Sequence, residues 1–442
     1  MKKSRGTSRS GRRPGARHAS ARAESVETVA TVRIDSIAAG GDGVARINGL
    51  ACFVPRTAPG DLVQIAYTSH ARYARGRVLQ RVEDSALRTE APCAHYEADR
   101  CGGCQLQHLS DDAQRDTLRH VVKDAIGRVG HREVPLPEIV MGTRWGYRDR
   151  LTLALREKGS GWLGGLYRYD DHRVFALEEC PIAHPSLVAM WHRVRRALRA
   201  LPRASADHPL RLSLRMAGAS RTEVALVVLG GRAWDDAVSW AAHVHASTPG
   251  LSAIWWIPED ADAVFLAGDP DLSALAFEQV NPEMASQLRA MVWDEVMSRA
   301  PNTVVDAYAG RGDLAERLAH AGIHVTAIES DARATLDASR RLAAYSSARV
   351  ITGLVEECIE AVLPADVVVL NPPRRGIDVH VAAALAESKR TTAIVYVSCD
   401  PATLARDLSR LPHWQIASLR CFDMFPQTAH VETVCVLTQE EG

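Results

Sequence analysis

The residues best suited to chemistry in this chain are a cysteine and a glutamate near its end. Tyr396-Val397-Ser398-Cys399-Asp400-Pro401-Ala402 reads as a β-branched strand that stops just before a helix, with Pro401 in the first turn, where its fixed φ and missing N–H are tolerated. A helix N-terminus favours thiolate, so Cys399 is a candidate nucleophile. Glu432, in Phe422-Asp423-Met424-Phe425-Pro426-Gln427-Thr428-Ala429-His430-Val431-Glu432, is the best candidate for a general base. Methylation of carbon 5 of a uracil ring needs both. That carbon is a weak nucleophile, and thiolate addition to carbon 6 pushes electron density onto it, so that it can attack an electrophilic methyl. The proton left on carbon 5 must then be removed before the thiolate can leave. A lone cysteine before a helix is more often a buried small hydrophobe, so the reading rests on its neighbourhood.

Thr303-Val304-Val305-Asp306-Ala307-Tyr308-Ala309-Gly310-Arg311-Gly312-Asp313 supplies part of that neighbourhood. It reads as a strand ending in a glycine-containing turn before a helix over Leu314–Ala321, and in a parallel sheet ligands sit beyond such strand ends. Glu329, ending the next strand, is placed to accept hydrogen bonds from two ribose hydroxyls. The turn lacks the third glycine of the dinucleotide fingerprint, which favours S-adenosylmethionine over NAD. Cys93, Cys101, Cys104 and Cys180, with Gly102-Gly103 in a tight turn and Pro181 after the last, suit zinc or an iron–sulfur cluster, both of which accept four thiolates. Cys52, Cys358, Cys421 and Cys435 sit in apolar runs and read as core.

These residues need a scaffold, and 442 residues with 46% hydrophobic content suggest several domains. The expected division is a disordered basic tail (1–26), a small barrel (27–88), a central α+β region carrying the four cysteines (89–270) and an α/β domain (271–442). The barrel is read from short alternating strands punctuated by Gly40, Gly41, Gly43, Gly49, Pro59 and Gly60. Its ladder Arg72, Arg75, Arg77, Arg81, interleaved with Tyr67 and Tyr73, offers charge for phosphates and rings for stacking, or else is an ordinary solvated strand face. In the central region Leu187, Met190, Trp191, Val194, Leu198 and Leu201 recur at helical spacing. From about 275, runs such as Val367–Leu370 and Ile394–Val397 alternate with helical segments, which predicts a parallel sheet covered on both faces.

The chain has 53 basic and 53 acidic residues, but its first 26 hold eight Lys or Arg against Glu24 alone. The rest is net acidic, so nucleic-acid contact must use local patches. No apolar run approaches the roughly 20 residues of a membrane span, and the N-terminus lacks a signal-peptide core. A cytoplasmic location is expected, with no membrane and no obligate protein partner. Nine cysteines in such a chain are poor material for a disulfide framework.

Taken together, Phe277-Glu278-Gln279-Val280-Asn281, the Tyr308–Asp313 turn, Asn371-Pro372-Pro373-Arg374-Arg375-Gly376, Ser398–Asp407 and Asp423–Glu432 resemble the bacterial uridine-5 RNA methyltransferase family over about 28–442. Gly40–Arg46 with Phe53-Val54-Pro55 and Pro59-Gly60-Asp61 resembles the TRAM domain, an OB-like RNA-binding barrel. The resemblance implies a Rossmann-like class I methyltransferase sheet preceded by that barrel and the α+β region. It implies S-adenosylmethionine contacts from Gln279, Tyr308, Asp313, Glu329 and Asn371 beside the Gly310 turn, with Cys399 as nucleophile and Glu432 as base. It also implies a 4Fe–4S cluster on Cys93, Cys101, Cys104 and Cys180, as in the ribosomal-RNA members, with zinc as the alternative. Asp313, Asn371 and Gln427 depart from the family's commoner Asn, Asp and His.

A flipped or loop uridine is the expected substrate, because carbon 6 is out of reach in a stack. Barrel and cluster favour 23S rRNA, while the wording of 371–376 resembles family members without the barrel and keeps tRNA open. Two further readings compete: an amino-group RNA methyltransferase, from Asn371-Pro372-Pro373, and a non-catalytic RNA-binding factor.

Overall fold

The structure is a computed structural model describing residues 27–439 apart from 160, 205–208, 219–220, 271–274 and 276–278. The basic tail and Phe277-Glu278 lie outside the described residues. Strands β1 (Thr28–Arg33), β2 (Ser36–Ile37), β3 (Gly43–Ile47), β4 (Leu50–Val54), β5 (Leu62–Ser69) and β6 (Ala74–Glu83) form one sheet in the order β1-β5-β6-β4-β3-β2. Alternate residues, among them Val32, Val54, Val63 and Ile65, turn inward to a single small core, as a period of two requires. Tyr67 belongs to that core at 9% exposure, so the expectation that it stacks on bases is not met. Tyr73 is exposed and lies against His70 with ring centroids 4.7 Å apart.

Helices α1 (Ala94–Glu97) and α2 (Asp111–Arg128) and the short strand β7 (Glu138–Val140) follow. The central sheet contains β8 (Arg150–Lys158), β9 (Gly161–Tyr167), β10 (Val174–Ala176), β11 (Arg211–Ala217), β12 (Glu223–Leu229), β13 (Leu251–Ile257) and β14 (Val264–Gly268), ordered β10-β9-β8-β11-β12-β13-β14. Helices α3 (Pro185–Val194) and α4 (Ala237–Ser247) share one core with its strands. Leu187, Met190, Trp191 and Val194 point inward from α3, whereas Leu198 and Leu201 are buried beyond its end.

The last unit runs α5 (Pro282–Met297), β15 (Thr303–Ala307), α6 (Asp313–His320), β16 (His324–Glu329), α7 (Ala332–Leu342), β17 (Ala348–Thr352), α8 (Val355–Cys358), β18 (Val367–Leu370), α9 (Val379–Glu387), β19 (Ala393–Ser398), α10 (Pro401–Ser409), β20 (Trp414–Phe422) and β21 (Glu432–Gln439). Its sheet is ordered β17-β16-β15-β18-β19-β21-β20-β7. Every pairing is parallel except those of β21 with β19 and β20. Both faces are covered, which is why β18 and β19 are unbroken apolar runs. Ile394 and Tyr396 pack with α2, α9 and α10 on one face, and Val395 and Val397 with α5 and α6 on the other. This is the expected Rossmann-like α/β sheet. The segment from 106 to 140, upstream of the central sheet, adds a helix to one face and β7 to one edge. Among the described residues no helix is long and apolar enough to cross a membrane.

Candidate active site

Register brings the expected nucleophile and base together. Strands β19 and β21 run antiparallel with Ser398 opposite Thr433, so the next residues outward are Cys399 and Glu432, from the far ends of two neighbouring strands. Glu432 is 4% exposed, and burial pushes its carboxyl up to about 7 against the pull of Arg374. Burial also raises the Cys399 thiol, as does the charge of Glu432, while Arg374 opposes them. The first two pull against the thiolate that a helix end would favour. Asp400, not Cys399, caps α10, its Oδ1 accepting from Thr403 N at 2.8 Å, and takes the benefit of the helix end.

The loop 371–377 is held against this pair by α10. Thr403 Oγ1 donates to Arg374 O (3.0 Å), Arg406 Nη2 to Arg375 O (2.6 Å), and Ile377 N to Asp407 Oδ2 (2.9 Å). Asp407, fully buried, also accepts from Tyr396 OH at 2.7 Å and from Arg406. The loop thereby presents Arg374, whose charge reaches Cys399, Glu432 and His430. Its role was not read from the sequence, where an arginine after Pro-Pro has no distinctive spacing. Gly376 makes the close approach possible: φ is +75° and a Cβ would strike Asp407, Thr403 and Arg406. Gly376→Ala is expected to destabilise the chain by about 1–3 kcal/mol, seen as a lowered Tm, and to reduce methyl transfer with it.

The glycine turn lies at the carboxyl end of β15. Tyr308, Gly310 and Gly312 have φ of 63°, 56° and 77°, and a Cβ on Gly310 would meet nothing within 4 Å, so space above the turn is open. Glu329 braces it, Oε2 accepting from Gly310 N at 3.0 Å and Oε1 from Ser330 N and Asp331 N at 2.8 Å. Asn371 is exposed at the tip of β18, and Gln279 half-buried before α5. Asp313, at the start of α6, is paired with Arg341 at 2.7 Å. The sequence reading missed Asp306: it is buried, Oδ2 has no hydrogen-bond partner, and burial, with Asp313 and Glu329 nearby, pushes its carboxyl up to about 7. An Asp inside Val-Val-Asp-Ala was the available signal.

Cys93, Cys101, Cys104 and Cys180 line one cavity of about 100 Å³ with Tyr96, Gln107, Arg148 and Leu166. Gly103 N donates to Cys101 Sγ at 3.4 Å. Among the described residues no three His, Cys, Asp or Glu side chains come close enough to hold a single metal ion. Four thiols lining one cavity are a donor set of the kind that zinc or an iron–sulfur cluster accepts. Cys52, Cys421 and Cys435 are buried as expected, and Cys358 is half-buried against the core.

Residues 343–440 match the tRNA (uracil-5-)-methyltransferase family and residues 24–79 the TRAM domain. An uncharacterized RNA methyltransferase of Halalkalibacterium halodurans is 31% identical over 92% of this chain and 96% of its own length. A 23S rRNA (uracil(1939)-C(5))-methyltransferase of Thiobacillus denitrificans is 30% identical over 90% of this chain and 96% of its own. In fold, the chain is similar to the Pyrococcus abyssi tRNA (uracil-54, C5)-methyltransferase solved with S-adenosyl-L-homocysteine: TM-score 0.68, 24% identity, 92% of this chain and 99% of that one. Likeness on this scale, with Cys399 and Glu432 inside the matched segment, means that the chain belongs to the RNA (uracil-5-)-methyltransferase family.

Proposed function

We propose that the protein methylates carbon 5 of a uridine in 23S rRNA through a covalent adduct between Cys399 and carbon 6 of the ring. The observation that carries this reading is the meeting of Cys399 with a buried Glu432 whose carboxyl sits near neutrality, where a base can both take and release a proton. Cys399 releases its thiol proton to solvent and adds through Sγ to carbon 6, and Arg374 beside it favours the thiolate and the negative charge that spreads into the ring. S-adenosylmethionine, when bound, supplies the electrophilic methyl. Glu432 then takes the carbon-5 proton, the ring double bond re-forms, and Cys399 leaves. Tyr308, the open Gly310 turn, Asp313, Glu329, Asn371 and Gln279 would hold the cofactor, above the buried Asp306 carboxyl of β15. Arg72 and Arg75, exposed on the barrel, give RNA phosphates a foothold.

The rRNA assignment is supported by the Thiobacillus relative, and the reaction belongs in the cytoplasm. Incubation with S-adenosylmethionine and unmodified 23S rRNA or tRNA transcripts is expected to yield 5-methyluridine at one rRNA position. Methylated tRNA alone would move the substrate, and a methyl on an exocyclic amine would end the carbon-5 reading.

The four cysteines are proposed to hold a 4Fe–4S cluster, with zinc as the alternative. Anaerobically purified protein should contain iron and acid-labile sulfide in equal amounts, about four of each per chain, and Cys104→Ser should lose most of both. Stoichiometric zinc without sulfide would replace the cluster.

A further inference from the structure

The nine residues that deliver Glu432, 423–431, form no helix or strand, yet most of them are buried. Asn281 and Arg144 hold their first residues, through Met424 O and the Asp423 carboxylate, and the cysteine-bearing loop holds the stretch from 427 to 429. Gln105 N and Leu106 N both donate to Gln427 O, at 3.1 and 3.0 Å. Gln427 itself is held at φ 72°. The side chain of Gln105 bridges the two loops: Oε1 accepts from Ala429 N at 3.4 Å, and Nε2 donates to Gly102 O at 2.8 Å in the cysteine turn. Gln114 Nε2 reaches Gln427 Oε1 at 2.9 Å, and Tyr147 OH donates to Pro426 O at 3.0 Å. The barrel closes the same junction, since a Cβ on Gly41 would strike Gln105 and Ala429. None of these contacts touches Cys399, whose position is set by β19 and α10.

We propose that the cysteine-bearing loop is a clamp on the general base, with Gln105 a positioning residue that acts through 425–430 on proton removal from carbon 5 and not on thiolate addition or methyl transfer. The inference rests on Glu432 being the base. In that step the carbon-5 proton passes to Glu432, its bonding pair becomes the ring double bond, and the carbon–sulfur pair returns to Cys399. The four-cysteine site thus gains a role without electron transfer: it anchors the loop that anchors the base.

Two substrates separate the steps. RNA containing 5-fluorouridine undergoes addition and methylation but has no carbon-5 proton to lose, so it reports only the early steps. Full-length Gln105→Ala is expected to turn over uridine transcripts of rRNA and tRNA roughly 10- to 100-fold more slowly. A methylated covalent protein–RNA band should accumulate, while the trapping rate on fluorinated RNA stays within about twofold of wild type. Tyr147→Phe, which loses one hydroxyl, should act in the same direction more weakly, and it decides the matter if Gln105→Ala does not fold. Unchanged turnover, or trapping that falls in step with turnover and no accumulated band, overturns the clamp. Glu432→Gln run alongside keeps the two readings apart: no band there sinks the base itself, whereas a band there and none for Gln105→Ala sinks only the clamp.

Discussion

Cys399→Ala is expected to lose methyl transfer by roughly 10⁴-fold or more and to form no covalent complex with 5-fluorouridine RNA, while still binding RNA. The loss should be this large because carbon 5 attacks only after something has added to carbon 6, and no other thiol is placed to do it. Cys421 and Cys435 are buried in the same sheet. Burial and the charge of Glu432 hold the Cys399 thiol above its ordinary range in the free protein, so trapping by wild type should accelerate as pH rises beyond neutrality. Cys399→Ser, with a far weaker nucleophile, should be nearly as inactive. Methylation by Cys399→Ala at an undiminished rate would remove the covalent route altogether.

Glu432→Gln should slow turnover by roughly 10²- to 10⁴-fold in a different way, stalling after methyl transfer with the RNA still attached. Wild-type turnover should fall as pH drops below about 7, where the Glu432 carboxyl becomes protonated. The same shift bears on stability. The carboxyl is raised from 4.5 to about 7 in the fold, so between those values the unfolded chain loses the proton while the fold keeps it, and stability falls as pH rises through this window. Carrying the charge above pH 7 costs the fold on the order of 3 kcal/mol at most. Glu432→Gln should therefore have the higher Tm at pH 8, with the difference vanishing below pH 4.5. Equal Tm values at pH 8 would show that the carboxylate is not under this strain.

Much of this site was legible because its signals are local. Cys399, the glycine turn and Glu329 each end a β-branched run, and a run with a stop is enough to place a side chain at a strand tip. Glu432 could be named as a base from its segment, but the antiparallel insertion of β21 that sets it beside Cys399 is a long-range pairing that no local run of residues announces. Tyr67 looked available for stacking, yet alternation in β5 turns it inward; its face depends on register, which a strand with mixed polarity does not announce. The pull of a helix end on Cys399 could be read from its neighbours, but the burial and the Glu432 charge that raise its thiol come from the fold. Asp306 and Gln105 were invisible for a third reason. Each looks ordinary in its own segment and acquires meaning only from groups brought near it in space: two carboxyls for Asp306, and the 425–430 loop for Gln105.

The sheet that carries the chemistry also borrows from far upstream. Strand β7 seals the edge along β20, and α2 covers apolar residues of α10. A piece cut out from residue 271 onward would keep Cys399, Glu432 and Arg374 but leave a bare strand edge and an unroofed helix, an invitation to pair with its own copies. Modular as the chain looks in linear order, its catalytic part is not portable, and grafting it onto another RNA-binding module would have to bring residues 106–140 along.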